Sequence, residues 1–305
     1  MLNAYLYQVF IKLQRMIIMR LSSDTSVLGN CFGDEAAIRM LKEAGYDAFD
    51  FTACGDRVER EILNENYLEH AYKLKAVMEE VGIVCNQAHA PFNFTYDDVL
   101  DETGELYVKL IRSIHIASIL GAKNIIIHTI RIRVPEEEFI EYNKAFYKGI
   151  IPYCEKFNIC ASVENLFYRA DYDRTQIFPT FKSAEEHREF VKSFNSPWIN
   201  ACIDTGHCAL TGFDAAEWIR TMGKGIVASV HIHDNDSVVK DFHRLPYMGS
   251  INWDDVCTAL KEIEYEGDFT YEALGFFEQL DPRLLPSAYK FAAELGRILM
   301  EKIEL

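Results

Sequence analysis

Asn124-Ile125-Ile126-Ile127-His128 is the stretch that decides the fold. Three consecutive isoleucines without polar alternation suit a strand buried on both faces, as in a parallel sheet covered by helices. Gly121 precedes it and ends the helical spacing of Leu106–Leu120; the helical stretch Pro135–Phe157, with Pro152 inside, follows it. The same unit recurs in both directions. Upstream, Ile17–Leu21, Ala48–Thr52 and Ile83–Ala88 read as strands one to three, separated by helices over Asp34–Ala44 and Glu65–Val81 that stop at Gly45 and Gly82. Downstream, Ile159–Glu164, Ile199–Asp204, Ile226–His233 and Asp268–Ala273 read as strands five to eight. Helices over Ser183–Ser193, Asp214–Met222, Trp253–Ile263 and Pro286–Ile303 alternate with them, Ser183 serving as an N-cap. Eight strands each followed by a helix predict the α/β class, as a closed parallel barrel in one domain. An open doubly wound sheet is second choice. It would need a Gly-rich phosphate loop after its first strand, and Ser22-Ser23-Asp24-Thr25-Ser26 is not one.

The chain has 305 residues, 49% hydrophobic and 26% charged, enough for a large core. No linker, repeat or low-complexity tract divides it. The first twenty residues are apolar with Lys12, Arg15 and Arg20 interspersed, too broken to span a membrane and without the layout of a secretory signal. Residues 1–15 are therefore expected to be an N-terminal extension, either a helix over the barrel floor or an upstream start before Met16 or Met19, and 16–305 the barrel domain. A net charge of -16 favours a small neutral substrate over nucleic acid or an anionic membrane. Eight scattered cysteines with no CxxC pair fit a reduced, cytoplasmic protein. The sequence leaves the oligomer open, a homo-oligomer included.

Nine side chains of metal-binding type each follow a strand-like run: His89, His128, Glu164, Asp204, His207, His233, Asp241, His243 and Glu272. Imidazole and carboxylate without thiolate suit a borderline divalent cation such as zinc, manganese, cobalt or magnesium. In a barrel, groups at strand C-termini converge on one mouth. Each residue has a bland alternative. Glu164 closes a buried strand, where a carboxylate is costly unless a cation or donors meet it; a salt bridge to Arg169 or Arg174 is the alternative. Asp204-Thr205-Gly206-His207 is the most specific local signal, Gly206 allowing the turn that brings His207 over the mouth; helix capping by Asp204 is its alternative. In Val230-His231-Ile232-His233 both histidines share one face, and His233, nearer the expected strand end, is taken as the ligand, with His231 a deeper core or supporting histidine. Asp241 and His243 lie in a loop directly after strand seven. His89 and His128, ending strands three and four, would singly be satisfied histidines; they gain weight from the others on the same rim. Glu164 and Glu272 are expected to face each other across the mouth, with Asn165 beside them to bond substrate or a supporting group.

Taken together, Gln87-Ala88-His89-Ala90-Pro91-Phe92, Val163-Glu164-Asn165, Ile203-Asp204-Thr205-Gly206-His207, Val230-His231-Ile232-His233-Asp234-Asn235-Asp236, Asp241-Phe242-His243-Arg244-Leu245-Pro246 and Gly249-Ser250-Ile251-Asn252-Trp253 resemble the sugar phosphate isomerase/epimerase superfamily. These are the xylose isomerase-like TIM barrels that also include endonuclease IV. The resemblance spans most of the chain and implies a (β/α)8 barrel. From the ketose 3-epimerase branch it implies one divalent metal on Glu164, Asp204, His233 and Glu272, with His207 on the substrate; that branch's arginine after strand seven is replaced here by Val238, Val239 and Lys240. From the endonuclease IV branch it implies up to three zinc ions on all nine residues, adding His89, His128, His207, Asp241 and His243.

The expected activity is that of a metal-dependent sugar isomerase or epimerase. Glu164 and Glu272 would transfer a carbon-bound proton through a metal-stabilised enediolate. His207, His89, His128 and Asn165 would contact the carbohydrate. The alternatives are a multinuclear zinc hydrolase of the endonuclease IV type and an inosose dehydratase-like lyase. A vestigial sugar-binding barrel is the non-enzyme alternative. It would have lost ligands, and none of the four is missing.

Overall fold

The computed structural model describes residues 19–53, 61–92, 97–98, 101–130, 136–170 and 173–304. The expectations for residues 1–18, including the start of strand one, lie outside them.

Among the described residues ten strands occur in chain order: β1 (Leu21–Ser23), β2 (Ala48–Thr52), β3 (Val84–His89), β4 (Asn124–Ile126), β5 (Cys160–Glu164), β6 (Phe167–Arg169), β7 (Ile177–Pro179), β8 (Ile199–Asp204), β9 (Val227–His231) and β10 (Phe269–Tyr271). Six of them form one curled parallel sheet in the order β2-β3-β4-β5-β8-β9, and β1 pairs with β10, also in parallel. Two bridges join these pieces into a ring. Asp24 pairs with Asp50 between β1 and β2, and Ile232 pairs with Tyr271 between β9 and β10. Backbone donors complete the seams: Thr25 N to Asp50 O at 3.0 Å, and Ile232 N to Thr270 O at 2.8 Å. The expected parallel barrel is the observed architecture.

The helices are α1 (Ser26–Phe32), α2 (Asp34–Ala44), α3 (Tyr67–Val81), α4 (Glu105–Leu120), α5 (Glu136–Phe157), α6 (Ala184–Lys192), α7 (Thr205–Leu210), α8 (Ala215–Met222), α9 (Trp253–Glu262), α10 (Leu274–Phe277) and α11 (Leu285–Glu304). None in the described chain is long and apolar enough to cross a membrane. Their ends follow local chemistry. Ser183 and Asp214 accept from the amides of Glu186 and Glu217, satisfying donors that the first turn leaves free. Gly45, Gly82 and Gly121 close α2, α3 and α4 with φ of 99°, 70° and 89°, a conformation costly for residues with a Cβ.

Each barrel strand has two different faces. Ile125, Ile127, Ala161, Val163, Ala201, Ile203, Val230 and Ile232 are buried within the hydrophobic core that the helices also supply. Burying an Ile or Val fully is worth about 1.5–3 kcal/mol, so this outward face carries much of the stability. The inward face is polar well below the mouth. Ser22 Oγ donates to Asn86 Oδ1 at 2.7 Å, Asn86 Nδ2 to Thr270 Oγ1 at 3.0 Å, and Asn200 Nδ2 to Asn124 Oδ1 at 2.8 Å. Among the described residues strand one runs over Leu21–Ser23, beyond the expected end at Leu21, and contributes Ser22 to this polar layer. Ser22 and Ser23 carry no hydrophobic signal, yet both are buried. A cavity of about 530 Å³ opens at the N-terminal end, bordered by Arg20, Lys123 and Asp268; none of the nine ligand-type residues lines it.

His187, on α6, is buried, stacks on Phe181 with ring centroids 4.5 Å apart, and donates Nε2–H to Val163 O at 3.1 Å. Burial pulls its pKa down to about 4. The neutral form is thus kept in the fold, while an unfolded histidine takes a proton near 6.5. Its contribution is complete above pH 6.5 and falls as pH drops towards 4, by roughly 2 kcal/mol at pH 5. Urea unfolding of wild type and His187→Gln at pH 7 and pH 5 should show a steeper loss for wild type. Equal losses in both proteins would refute the assignment.

Candidate functional site

Glu164 ends β5, Asp204 ends β8, His231 ends β9, and Glu272 directly follows β10. Parallel closure brings these four to one mouth, where one donor atom from each lies within 4.8 Å of every other. His231 Nδ1 is the centre. Glu272 Oε2 is 2.8 Å from it, Glu164 Oε1 3.1 Å and Asp204 Oδ2 3.7 Å. A ring nitrogen carries at most one hydrogen. Three carboxylates therefore share a point at which a single proton can serve only one of them. The donor set, three carboxylates and an imidazole in a buried site, fits a divalent cation.

A second group adjoins the first: His207, His233, Asp241 and His243, again with donors within 4.8 Å. Asp241 Oδ2 lies 2.7 Å from His243 Nε2 and 3.1 Å from His207 Nε2, and Asp241 Oδ1 is buried without a hydrogen-bond partner among the described residues. Asp204 links the groups, with Oδ1 2.8 Å from His233 Nε2. His128 Nε2 is 3.0 Å from Glu164 Oε2, and His89 Nε2 is 3.7 Å from Glu272 Oε1. All nine residues singled out in the sequence thus lie at the same mouth.

One of them sits differently from the expectation. His231, not His233, joins Glu164, Asp204 and Glu272. The reason is register: β9 ends at His231, which pairs with Asp204, whereas the sequence reading carried that strand on to His233. Past the strand end, His233 swings onto α7 and stacks on His243 with centroids 4.0 Å apart. Gly206 permits this approach, because a Cβ there would lie 1.9 Å from His233 Cε1. Asn165 is also placed more specifically than foreseen. Its Nδ2 donates to Asp204 O at 2.9 Å and its Oδ1 accepts from Asp204 N at 2.7 Å, clamping the backbone at the base of the site.

Two buried carboxylates at the site escaped the sequence reading. Asp50, on β2, lies 3.0 Å from His89 Nδ1. Asp234 closes the loop that carries Asp241 and His243. Its backbone pairs with Arg244 in both directions, Oδ2 accepts from Trp253 Nε1 at 2.8 Å, and Oδ1 from Ile251 N at 3.1 Å. This explains why Asp234 and Ile251-Asn252-Trp253 occur together. Asp50 had a signal in its place inside an apolar strand, between Phe49 and Phe51; Asp234 had only its neighbours.

The electrostatics follow from the excess of buried carboxylate. Burial alone would raise the carboxyls; the His231, His128 and His207 imidazoles reverse this and hold Glu164 well below the usual range. Burial alone would lower the histidines. Asp50 outweighs it and lifts His89 to about 9, and Asp241 likewise lifts His243 to about 10. Burial and the neighbouring Asp50 push Asp24 up to about 6. The pocket thus demands positive charge, which protons or a metal cation can supply.

A protein-family model for the xylose isomerase-like TIM barrel matches residues 38–279. An uncharacterised protein of Mycobacterium leprae is 25% identical over 253 residues, covering 78% of this chain and 83% of its own. One of Methanocaldococcus jannaschii is 27% identical over 252 residues, covering 78% of each. Among solved structures, a D-tagatose 3-epimerase-like protein superposes with a TM-score of 0.72 at 19% identity, covering 94% of this chain and 98% of its own. A D-psicose 3-epimerase crystallised in the presence of D-fructose gives 0.69 at 15% identity, covering 92% and 99%. At these identities the solved structures share the fold.

Replacing Asp234 by Ala leaves Trp253 Nε1 buried without its acceptor, which costs about 1–3 kcal/mol. The variant should melt earlier and exchange amide hydrogens faster across 235–250. Unchanged melting and exchange would mean that other contacts hold this loop. On the match of the family model across most of its length, the chain belongs to the xylose isomerase-like TIM barrel family.

Proposed function

We propose that this protein is a divalent-metal-dependent sugar isomerase or epimerase in which Glu164 and Glu272 transfer a carbon-bound proton. The observation that carries this reading is the convergence of Glu164, Asp204 and Glu272 on His231 Nδ1. The named sugar epimerases with the same fold, including the D-psicose 3-epimerase and an L-ribulose 3-epimerase, add support.

Glu164, Asp204, His231 and Glu272 would hold the cation, zinc, manganese, cobalt or magnesium. When bound, it supplies Lewis-acid polarisation of a substrate carbonyl, which acidifies the adjacent C–H. The two glutamates differ in access. The Glu272 side chain is 15% exposed and that of Glu164 1%. Glu272 is therefore the base that takes the proton from the incoming sugar, and Glu164 delivers to the other face of the carbon a proton resupplied from solvent through His128, whose Nε2 lies 3.0 Å from Glu164 Oε2. His128, at 25% the most open of the histidines around the site, and His207 are placed to bond substrate hydroxyls.

The second group, His207, His233, Asp241 and His243, favours one other reading, a multinuclear hydrolase. Metal analysis of protein purified without chelator separates the two. One ion per chain without phosphodiester cleavage supports the epimerase; about three zinc ions with such cleavage would replace it.

Chelation should abolish turnover, and a divalent cation should restore it. In deuterated water, the protein with its metal and a cognate ketose should place deuterium at the epimerised carbon. Glu272→Gln should stop that exchange, by about 10²–10⁴-fold for a lost proton-transfer group, while still taking up metal through its amide oxygen. No exchange across a panel of free and phosphorylated ketoses would count against the proposal.

A further inference from the structure

Behind the four residues assigned above lies Asp50, buried on the inner face of β2. Its Oδ2 accepts from Gln87 Nε2 at 2.7 Å, which fixes the carboxylate plane. Its Oδ1 lies 3.0 Å from His89 Nδ1, and its Oδ2 3.9 Å from His231 Nε2. The two imidazoles stack, with centroids 4.7 Å apart and planes at 24°. Each turns its other nitrogen to the mouth: His89 Nε2 towards Glu272 at 3.7 Å, and His231 Nδ1 towards all three carboxylates. Asp50 thus stands on the far side of both rings.

We infer that Asp50 is a positioning residue that sets the tautomer of His89, so that its Nε2 presents a lone pair towards the cation site, and that supports the His231 ring behind it electrostatically. A neutral imidazole has one N–H and one lone pair, and a carboxylate can only accept. An ionised Asp50 therefore keeps the His89 proton on Nδ1 and frees Nε2. At 3.9 Å the contact with His231 is beyond hydrogen-bond range and acts only electrostatically, supporting the Nε2–H form that a cation at Nδ1 requires. Gln87 aims Asp50, and the Asp24–Asp50 bridge anchors its strand to β1. The register of β2 and β3 contributes: after an irregularity between Phe49 and Asp50, Asp50 pairs with Gln87, two residues before His89. Carboxylates of this kind typically tune metal affinity by about 10–100-fold.

The role rests on the metal-site reading, so the test scores the two separately. Nitrogen-15 histidine spectra of apo protein at pH 10.5, with His89 assigned through His89→Gln, report its tautomer whether or not the chain takes up metal. Wild type and Asp50→Glu should carry the proton on Nδ1, and Asp50→Asn on Nε2. Zinc titration should then give Asp50→Asn an affinity 10–100-fold weaker at unchanged stoichiometry, with Asp50→Glu restoring most of it. Gln87→Leu, which touches none of the proposed ligands, should weaken zinc in the same direction but less, and stands in if Asp50→Asn does not fold. The Nδ1–H tautomer in both wild type and Asp50→Asn overturns the inference, as does unchanged zinc affinity in Asp50→Asn and Gln87→Leu. One ion fewer in Asp50→Asn would make Asp50 a ligand and overturn it too. If wild type binds no zinc, manganese or cobalt, the proposed function fails while the His89 spectrum still decides the role of Asp50.

Discussion

Three carboxylates meeting at one imidazole nitrogen are the constraint around which the mouth of this barrel is arranged. Charge of one sign concentrated in a low-dielectric interior is expensive unless opposite charge meets it. The surroundings are built to meet it. His128 and His207 flank Glu164, His233 flanks Asp204, and His89 flanks Glu272. Removing any one partner would leave an uncompensated buried charge, so these residues depend on one another. Charge balance here is a property of the cluster and not of any pair.

The barrel makes such a concentration tolerable by dividing labour between the faces of its strands. In β5, Val163 belongs to the helix-facing core while Glu164 closes the strand at the mouth, and β8 repeats the arrangement with Ile203 and Asp204. A period of two makes this separation automatic. Stability gathers on one face while the other can stay polar from the Asn86–Thr270 layer up to the mouth. Chemistry that would disrupt a hydrophobic core is thereby kept out of it.

This division also explains what the sequence revealed. Elements with an apolar outer face were plain: Ala48–Thr52, Ile199–Asp204 and Asp34–Ala44 occur with the expected bounds. The end of strand one was set too early because Ser22 and Ser23 are buried without being apolar. The hairpin of β6 and β7 was missed because it is short and half-exposed, and α7 because six residues beginning Thr205-Gly206 have little helical signal. At the site, residue type and position after a strand found nine members. They could not tell His231 from His233. Both lie on the same face in an extended chain, and only the place where β9 leaves the sheet separates them. Asp50 and Asp234 were overlooked for a related reason: a carboxylate that supports a histidine or a loop looks in sequence like any other acidic residue.

What a short motif contributes to the site is therefore partly indirect. Asp204-Thr205-Gly206-His207 supplies a carboxylate, a hydroxyl, a gap and an imidazole, and the middle two are turned to His233. Thr205 Oγ1 lies within hydrogen-bonding distance of His233 O at 2.8 Å and of His233 N at 3.1 Å, tying α7 to the residues after β9. Gly206 leaves room for the His233 ring. Asp204 caps α7 by accepting from His207 N at 2.6 Å, so the capping role weighed against the functional one coexists with it. Its Oδ2 is turned towards His231 and its Oδ1 shared between the cap and His233. A helix cap fixes the carboxylate plane to within a rotamer, and that rigidity is what a convergent cation site needs from a ligand.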